Sequence, residues 1–330
     1  MRREWKQVGE YLWDCQRNRP FLQWPNFNSH ATDMFEKDHF AGRRILVTGG
    51  GTGLGLGMVE RLAGLGAEIH ICGRRGSVLA EAANSLERRF GGRVGQHVVD
   101  IRDAAAVDEM VERIWQEHGP LDGLVNNAAG NFISRTEDLS QNGFNAISDI
   151  VFKGTFFATQ AVGKRWIATG HPGAVVSIVV TWVWTGSPFV VPSAMSKAGV
   201  DAMTKSLAIE WGRHGIRLNA VAPGVIQTDG ASARLRPGSL SHESPSRPNP
   251  TGRTGTPHDL GTLAAFLLSP ENHWINGQTI ALDGGDWLAH GAYYKQYLSW
   301  TEAEWAEAKT RIKASNAKDK TLRYQGDAAQ

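Results

Sequence analysis

Cysteine is almost missing from this 330-residue chain, which holds only Cys15 and Cys72. That scarcity excludes a disulfide framework and a cysteine-based metal cluster, no metal site stands out, and a reducing, cytoplasmic compartment fits. No apolar run reaches 18 residues, which removes a membrane-spanning helix. A dominant charge is missing too: 35 Lys and Arg against 33 Asp and Glu leave a net +2. Neither nucleic acid nor an anionic membrane is then expected as the main partner, and the basic stretch 309–320 reads as a solvated helix face. The first forty residues lack the apolar core of a signal peptide. They carry Trp5, Trp13 and Trp24 beside Glu10 and Asp14, and read as a packing arm. A mitochondrial presequence is the other reading, against which the acidic residues weigh.

A polar linker is likewise absent between residues 42 and 285, so one α/β domain is expected there, with arms at 1–41 and 286–330. Short β-branched runs at 44–48, 67–72, 93–99, 123–126, 174–180, 216–222 and 278–282 alternate with segments of helical spacing. Strands joined through helices require right-handed crossovers and a parallel sheet covered on both faces. The spacing predicts a single Rossmann-type doubly wound sheet of about seven strands. The stretch 229–257, rich in Ser, Pro, Gly and Arg, is too long for an ordinary connection and reads as a lid or binding loop.

The run Thr48-Gly49-Gly50-Gly51-Thr52-Gly53-Leu54-Gly55 joins the first strand to a helix. Glycines there admit close backbone approach, and the helix start turns unpaired N–H groups toward a phosphate; Gly49, Gly50, Thr52, Gly53, Leu54 and Gly55 are the candidate contacts. Past the second strand the chain reads Cys72-Gly73-Arg74-Arg75, where an NAD site carries a carboxylate. Arg74 and Arg75 suit a 2′-phosphate and predict NADP(H). The plainer reading is a solvated pair of arginines at a helix start. Asp100, followed by Ile101, either accepts from the adenine amino group or caps a strand end.

The run Asn126-Asn127-Ala128-Ala129-Gly130, the glycine turn and Lys197 resemble the short-chain dehydrogenase/reductase superfamily over roughly 42–285. Within it, Asn126 to Ser134, Phe189 to Ala194, Lys197 to Val200 and the tail Trp300 to Trp305 resemble the mitochondrial-type 2,4-dienoyl-CoA reductases. That resemblance implies NADPH-dependent reduction of an unsaturated acyl-CoA. It assigns Asn131, Ser193 and Lys197 to catalysis, Asn127, Ala128, Lys197, Pro223, Gly224 and Ile226 to the cofactor, and Phe132 and Arg234 to the substrate. It also implies a homotetramer paired through helices near 151–166 and 200–211 and, in a eukaryote, a mitochondrial or peroxisomal matrix.

The sequence departs from both patterns. Most of the superfamily has tyrosine where Ser193 stands, the dienoyl-CoA branch has one where Trp182 stands, and a common serine is replaced by Val180. An indole N–H donates a hydrogen bond but gives up no proton at useful pH. It can hold a developing thioester oxyanion, and it cannot act as general acid toward an alkoxide. Trp182 therefore either supplies an oxyanion donor with Asn131 or only reshapes the pocket. Asp229, where the branch has a basic residue, weighs against CoA. Two other functions stay open: an oxidoreductase for a ring ketone or secondary metabolite, with Tyr293 or Tyr294 as acid, and an NADP(H)-binding protein without redox chemistry.

Overall fold

Alternation within the apolar runs decides the layering. In β1 (Arg44–Thr48) Ile45 and Val47 face one side of the sheet and Leu46 the other, as the two-residue period of a strand demands. The computed structural model describes residues 12–14, 19–21, 33–226, 249–290, 301–308 and 310–311. Six further strands follow: β2 (Glu68–Gly73), β3 (Val94–Val98), β4 (Gly123–Asn126), β5 (Gly173–Ile178), β6 (Ile216–Pro223) and β7 (Thr279–Leu282). All pairings are parallel, in the order β3-β2-β1-β4-β5-β6-β7. The expected seven-stranded Rossmann-type sheet is present. β1 and β4 keep their predicted limits, and the other strands shift by one or two residues at one or both ends.

Helices cover both faces. On one lie α1 (Gly53–Gly64), α2 (Gly76–Phe90) and, near the carboxyl end of the domain, α8 (Pro257–Leu268), whose Met58, Leu62, Leu86 and Leu260 are buried against Val47, Ile71 and Val125. On the other lie α3 (Ala104–His118), α5 (Thr155–Thr169) and α7 (Val191–Trp211), which cover Leu46, Cys72, Leu124 and Leu218. Between them come α4 (Gln141–Ser148), a π-helical turn at Asp149–Gly154 and the short α6 (Trp182–Thr185). α8 opens with a reciprocal capping box between Thr256 and Asp259.

The chain divides into two units, 1–286 and 287–330. Residues 33–41 of the expected arm contribute to the core of the first: Phe35 and Phe40 are buried, and His39 Nε2 lies 2.9 Å from Ser269 Oγ. Residues 12–14 and 19–21 form an antiparallel pair, and in the second unit residues 302–308 are helical. Among the described residues, no helix is long and apolar enough to cross a membrane.

The sheet reverses its winding between β1 and β4, because β1 lies between β2 and β4. In open α/β sheets the crevice outside the carboxyl ends of the strands at that point receives the ligand. The glycine turn, Asn127 and the exit of β5 all belong to that end.

Candidate active site

Glycine is required in the turn after β1 for steric reasons. Gly49 has φ +66° and Gly53 φ +57°, the left-handed region. A Cβ on Gly55 would overlap the Gly49 carbonyl oxygen, and one on Gly50 would come to 2.5 Å from Ile71 Cγ2. The turn is clamped across the switch point. Thr48 Oγ1 accepts from the backbone N–H groups of Asn127 and Ala128, both at 3.0 Å, and Asn127 Nδ2 donates to the Thr48 and Gly49 carbonyls at 3.0 and 3.2 Å. Thr52 caps α1 by its backbone alone, with no side-chain bond, and Thr52 and Gly53 are exposed. The first N–H groups of α1 thus remain available to an anion.

Arg74 and Arg75 are exposed where β2 leads into α2, and Arg75 is the N-cap. Two cations at the positive end of a helix dipole are unfavourable by themselves, so this end is built to receive negative charge. Asp100 is held by Arg102, whose Nε lies 2.9 and 3.0 Å from its two oxygens, and by the Arg102 backbone N–H at 3.1 Å. That bonding, with Arg74 nearby, keeps its carboxyl below the usual carboxylate range. Ile101 is buried against Gly154 of the π-helical turn, where a Cβ would approach its side chain to 2.6 Å. Past β6, Pro223 and Gly224 are half-buried and Ile226 is buried; a Cβ on Gly224 would come to 2.6 Å from Asp283 Cβ. The glycine cradle and the two arginines fit a dinucleotide.

The candidate catalytic groups lie beyond the ends of β4 and β5 and on α7. Lys197 and Ser193 lie one turn apart on α7 and both are buried. The Lys197 ammonium donates to the carbonyl of Ile178, the last residue of β5. Trp182 opens α6 just beyond and is half-buried. On the neighbouring strand's exit, Asn131 Oδ1 accepts from the Phe132 backbone N–H at 2.9 Å, which leaves Nδ2 as its donor. The Asn131 loop is tied to the loop after α6 by Ser134 N–H donating to the Phe189 carbonyl at 2.9 Å. Among the described residues, Asn131 Nδ2, Ser193 Oγ and the Trp182 indole N–H have no hydrogen-bond partner. Phe132 is half-buried, reaching toward Gly143 of α4. Arg234, Asp229, Tyr293, Tyr294 and the greater part of the 229–257 stretch lie outside the described residues.

Burial pushes the Lys197 ammonium down to about 8. If Lys197 holds the ribose, the ribose hydroxyls would accept from that ammonium and favour its charged form, so above pH 8 binding would draw a proton onto the lysine. Cofactor affinity is therefore expected to be flat below about pH 8 and to weaken as pH rises past it, a dependence that Lys197→Met abolishes. In the free protein the sign is opposite. Unfolding returns the lysine to water, where it holds its proton up to about pH 10.4, so stability rises between those two values. Titration calorimetry and denaturant unfolding across that range check both statements.

Three contributors carried no assigned role in the sequence reading. Thr48 fixes the turn through its hydroxyl, a role a β-strand threonine ahead of a glycine run can signal. Asn126 Nδ2 donates to Thr159 Oγ1 and Ser177 Oγ at 2.8 and 3.3 Å, joining β4, α5 and β5 beneath the site. Phe189 has φ +62° and is 56% exposed; a bulky residue in that region stores strain, and nothing in its local sequence announces it.

This fold and cleft define a nicotinamide-dependent oxidoreductase. Residues 49–286 match the family model described as enoyl-(acyl carrier protein) reductase. Among curated relatives, a probable 2,4-dienoyl-CoA reductase [(3E)-enoyl-CoA-producing] of Caenorhabditis elegans is 42% identical over 286 residues, 85% of this chain and 93% of that protein. A short-chain dehydrogenase from Bacillus anthracis has a similar structure, with TM-score 0.69 and 42% identity over 76% of this chain and 98% of its own. A gluconate 5-dehydrogenase from Burkholderia cenocepacia, in complex with NADP and tartrate, gives TM-score 0.69 and 32% identity over 75% and 97%. The chain belongs to the short-chain dehydrogenase/reductase superfamily and within it resembles the 2,4-dienoyl-CoA reductases.

Proposed function

We propose that the protein reduces 2,4-dienoyl thioesters of coenzyme A with NADPH. The observation that carries this reading is a donor set without an acid: Asn131 follows β4, Trp182 follows β5, Ser193 lies one turn from the Lys197 that reaches the end of β5, and no phenol stands at position 182 or 193. Such a set suits an oxygen that gains charge and needs no proton.

When bound, the reduced nicotinamide supplies a hydride, which the chain directs to C5 of the acyl group. The C4–C5 electron pair then becomes the C3–C4 bond, the C2–C3 pair becomes the C1–C2 bond, and the thioester carbonyl pair settles on oxygen. Asn131 and Trp182 hold that dienolate oxygen, while the Lys197 ammonium holds the ribose. A proton taken from water at C2 restores the carbonyl and leaves a C3–C4 double bond. Turnover in heavy water tests the sequence of steps: NMR is expected to find one deuterium at C2 and the remaining alkene at C3–C4. Deuterium at C4 with a C2–C3 alkene contradicts it.

Arg74 and Arg75, at the start of α2 with no carboxylate at the end of β2, favour NADPH over NADH. Charge-assisted bonds of about 1.5–3 kcal/mol predict that Arg74→Ala with Arg75→Ala weakens NADPH binding roughly 10- to 100-fold. NADH binding is expected to change little, and fluorescence titration of both cofactors checks the contrast.

Assembly as a homotetramer fits the apolar side chains left open on the π-helical turn, α5 and α7. Phe152, Phe156 and Ile209 are 46%, 40% and 86% exposed, a distribution that calls for a covering surface. Light scattering is expected to return the mass of four chains; a monomer at working concentration contradicts it.

A further inference from the structure

At the opposite end of the strands from the glycine turn, three side chains from two elements meet. Glu68 and His70 lie in the first half of β2, and His118 ends α3. Glu68 Oε1 is 3.3 Å from His70 Nε2 and 3.2 Å from His118 Nδ1, and the three atoms lie within 4.8 Å of one another. A tetrahedral ion with bonds of about 2.0–2.1 Å to N and O ligands separates those ligands by about 3.3 Å. The two shorter edges thus already have the length that tetrahedral zinc imposes.

We propose that Glu68, His70 and His118 bind one zinc ion, with water as the fourth ligand, as a structural staple between α3 and the outer strands. The surroundings supply what such a site needs. His97 of β3 places Nε2 3.0 Å from His70 Nδ1. In the tautomer where His70 Nδ1–H donates to His97, the lone pair of Nε2 turns toward Glu68 and the ion, the outer hydrogen bond that orients a metal-binding imidazole. Arg44 donates to Glu68 Oε2 at 2.8 Å, which leaves Oε1 for the metal. Its positive charge and that of Arg113, near His97, oppose the ion; the Glu68 carboxylate and Glu117, 4.0 Å from His118 Nε2, offset them.

His70 is buried and its ring stacks on that of His97. Gly95, opposite His70 in the β2–β3 pairing, leaves the ring its place, since a Cβ there would overlap His70 Nδ1. His118 is 40% exposed, which gives the ion a way in from solvent.

The test uses the full chain without a histidine tag, freed of metal by chelator, and titrated with Zn²⁺ against a chromophoric competitor. The expected result is one equivalent bound, a melting temperature raised by zinc, and a visible Co²⁺ spectrum of four-coordinate intensity. His118→Ala, at an exposed helix end, is expected to weaken binding by about 100-fold or more and to abolish the thermal shift. His97→Phe keeps the stacked ring and touches no metal, and is expected to weaken binding by about 10- to 100-fold. Zinc affinity unchanged by both substitutions, or no stoichiometric binding by the unaltered chain, overturns the proposal. Both outcomes are independent of dienoyl-CoA turnover, which lies at the other end of the sheet.

Discussion

Lys197→Met is expected to lower kcat/KM for a dienoyl-CoA by about 10³-fold while the protein still unfolds cooperatively. Two losses combine in this figure. With Lys197 placed at the ribose as proposed, its charge-assisted bonds would be worth about 1.5–3 kcal/mol, and a nicotinamide displaced by about 1 Å would cost roughly a further 100-fold in rate. The fold tolerates the change because the ammonium is buried with the Ile178 carbonyl as its hydrogen-bond partner, in surroundings that already disfavour its charge. Methionine fills the same volume without that cost. Cofactor titration beside steady-state kinetics separates the two losses: weaker NADPH binding reports the bonds, and a lower kcat at saturation reports the alignment. Full activity in Lys197→Met contradicts the assignment.

On the proposed reading of Trp182 as an oxyanion donor, its removal has the next largest effect. Trp182→Phe keeps most of the aromatic volume and deletes the indole N–H, so kcat on the thioester is expected to fall by about 10²–10³, the usual effect of about 2.7–4 kcal/mol per oxyanion donor. The Michaelis constant changes little, because the bond strengthens only as charge reaches the oxygen. Trp182→Tyr restores a donor at this position and is expected to recover activity. A Trp182→Phe enzyme with unchanged kcat means that the indole only fills space and that Asn131 holds the oxygen without it.

Periodicity makes the sheet legible in the sequence, because each strand is a short apolar run with turn residues at its ends. Val125 and Val176 are buried for the reason their β-branched neighbours predict. Where neighbours in sequence are neighbours in space, the candidate site was legible as well: the placement of the glycine turn, of Arg74 and Arg75, and the one-turn spacing of Ser193 and Lys197 follow from adjacent positions. Contacts between distant segments were not. Lys197 meets Ile178 only because α7 packs beside the end of β5, and the Thr48 hydroxyl reaches Asn127 only because β1 and β4 are neighbours. The strained Phe189 and the π-helical turn at Asp149–Gly154 have no signature in propensity. The histidine cluster escaped for the same reason. Its members are spread over β2, β3 and α3, and only the register of the sheet and the length of α3 bring them together.

The central claim is that this chain reduces a conjugated thioester with neither tyrosine of its relatives' patterns. NADPH oxidation, followed by absorbance with trans-2,trans-4-dienoyl-CoA, its free acid and a matched trans-2-enoyl-CoA, tests that claim most directly. Turnover of the dienoyl thioester well above both others is the predicted result. NADPH that binds but is not oxidised by the dienoyl thioester, or is oxidised by a ring ketone instead, contradicts it.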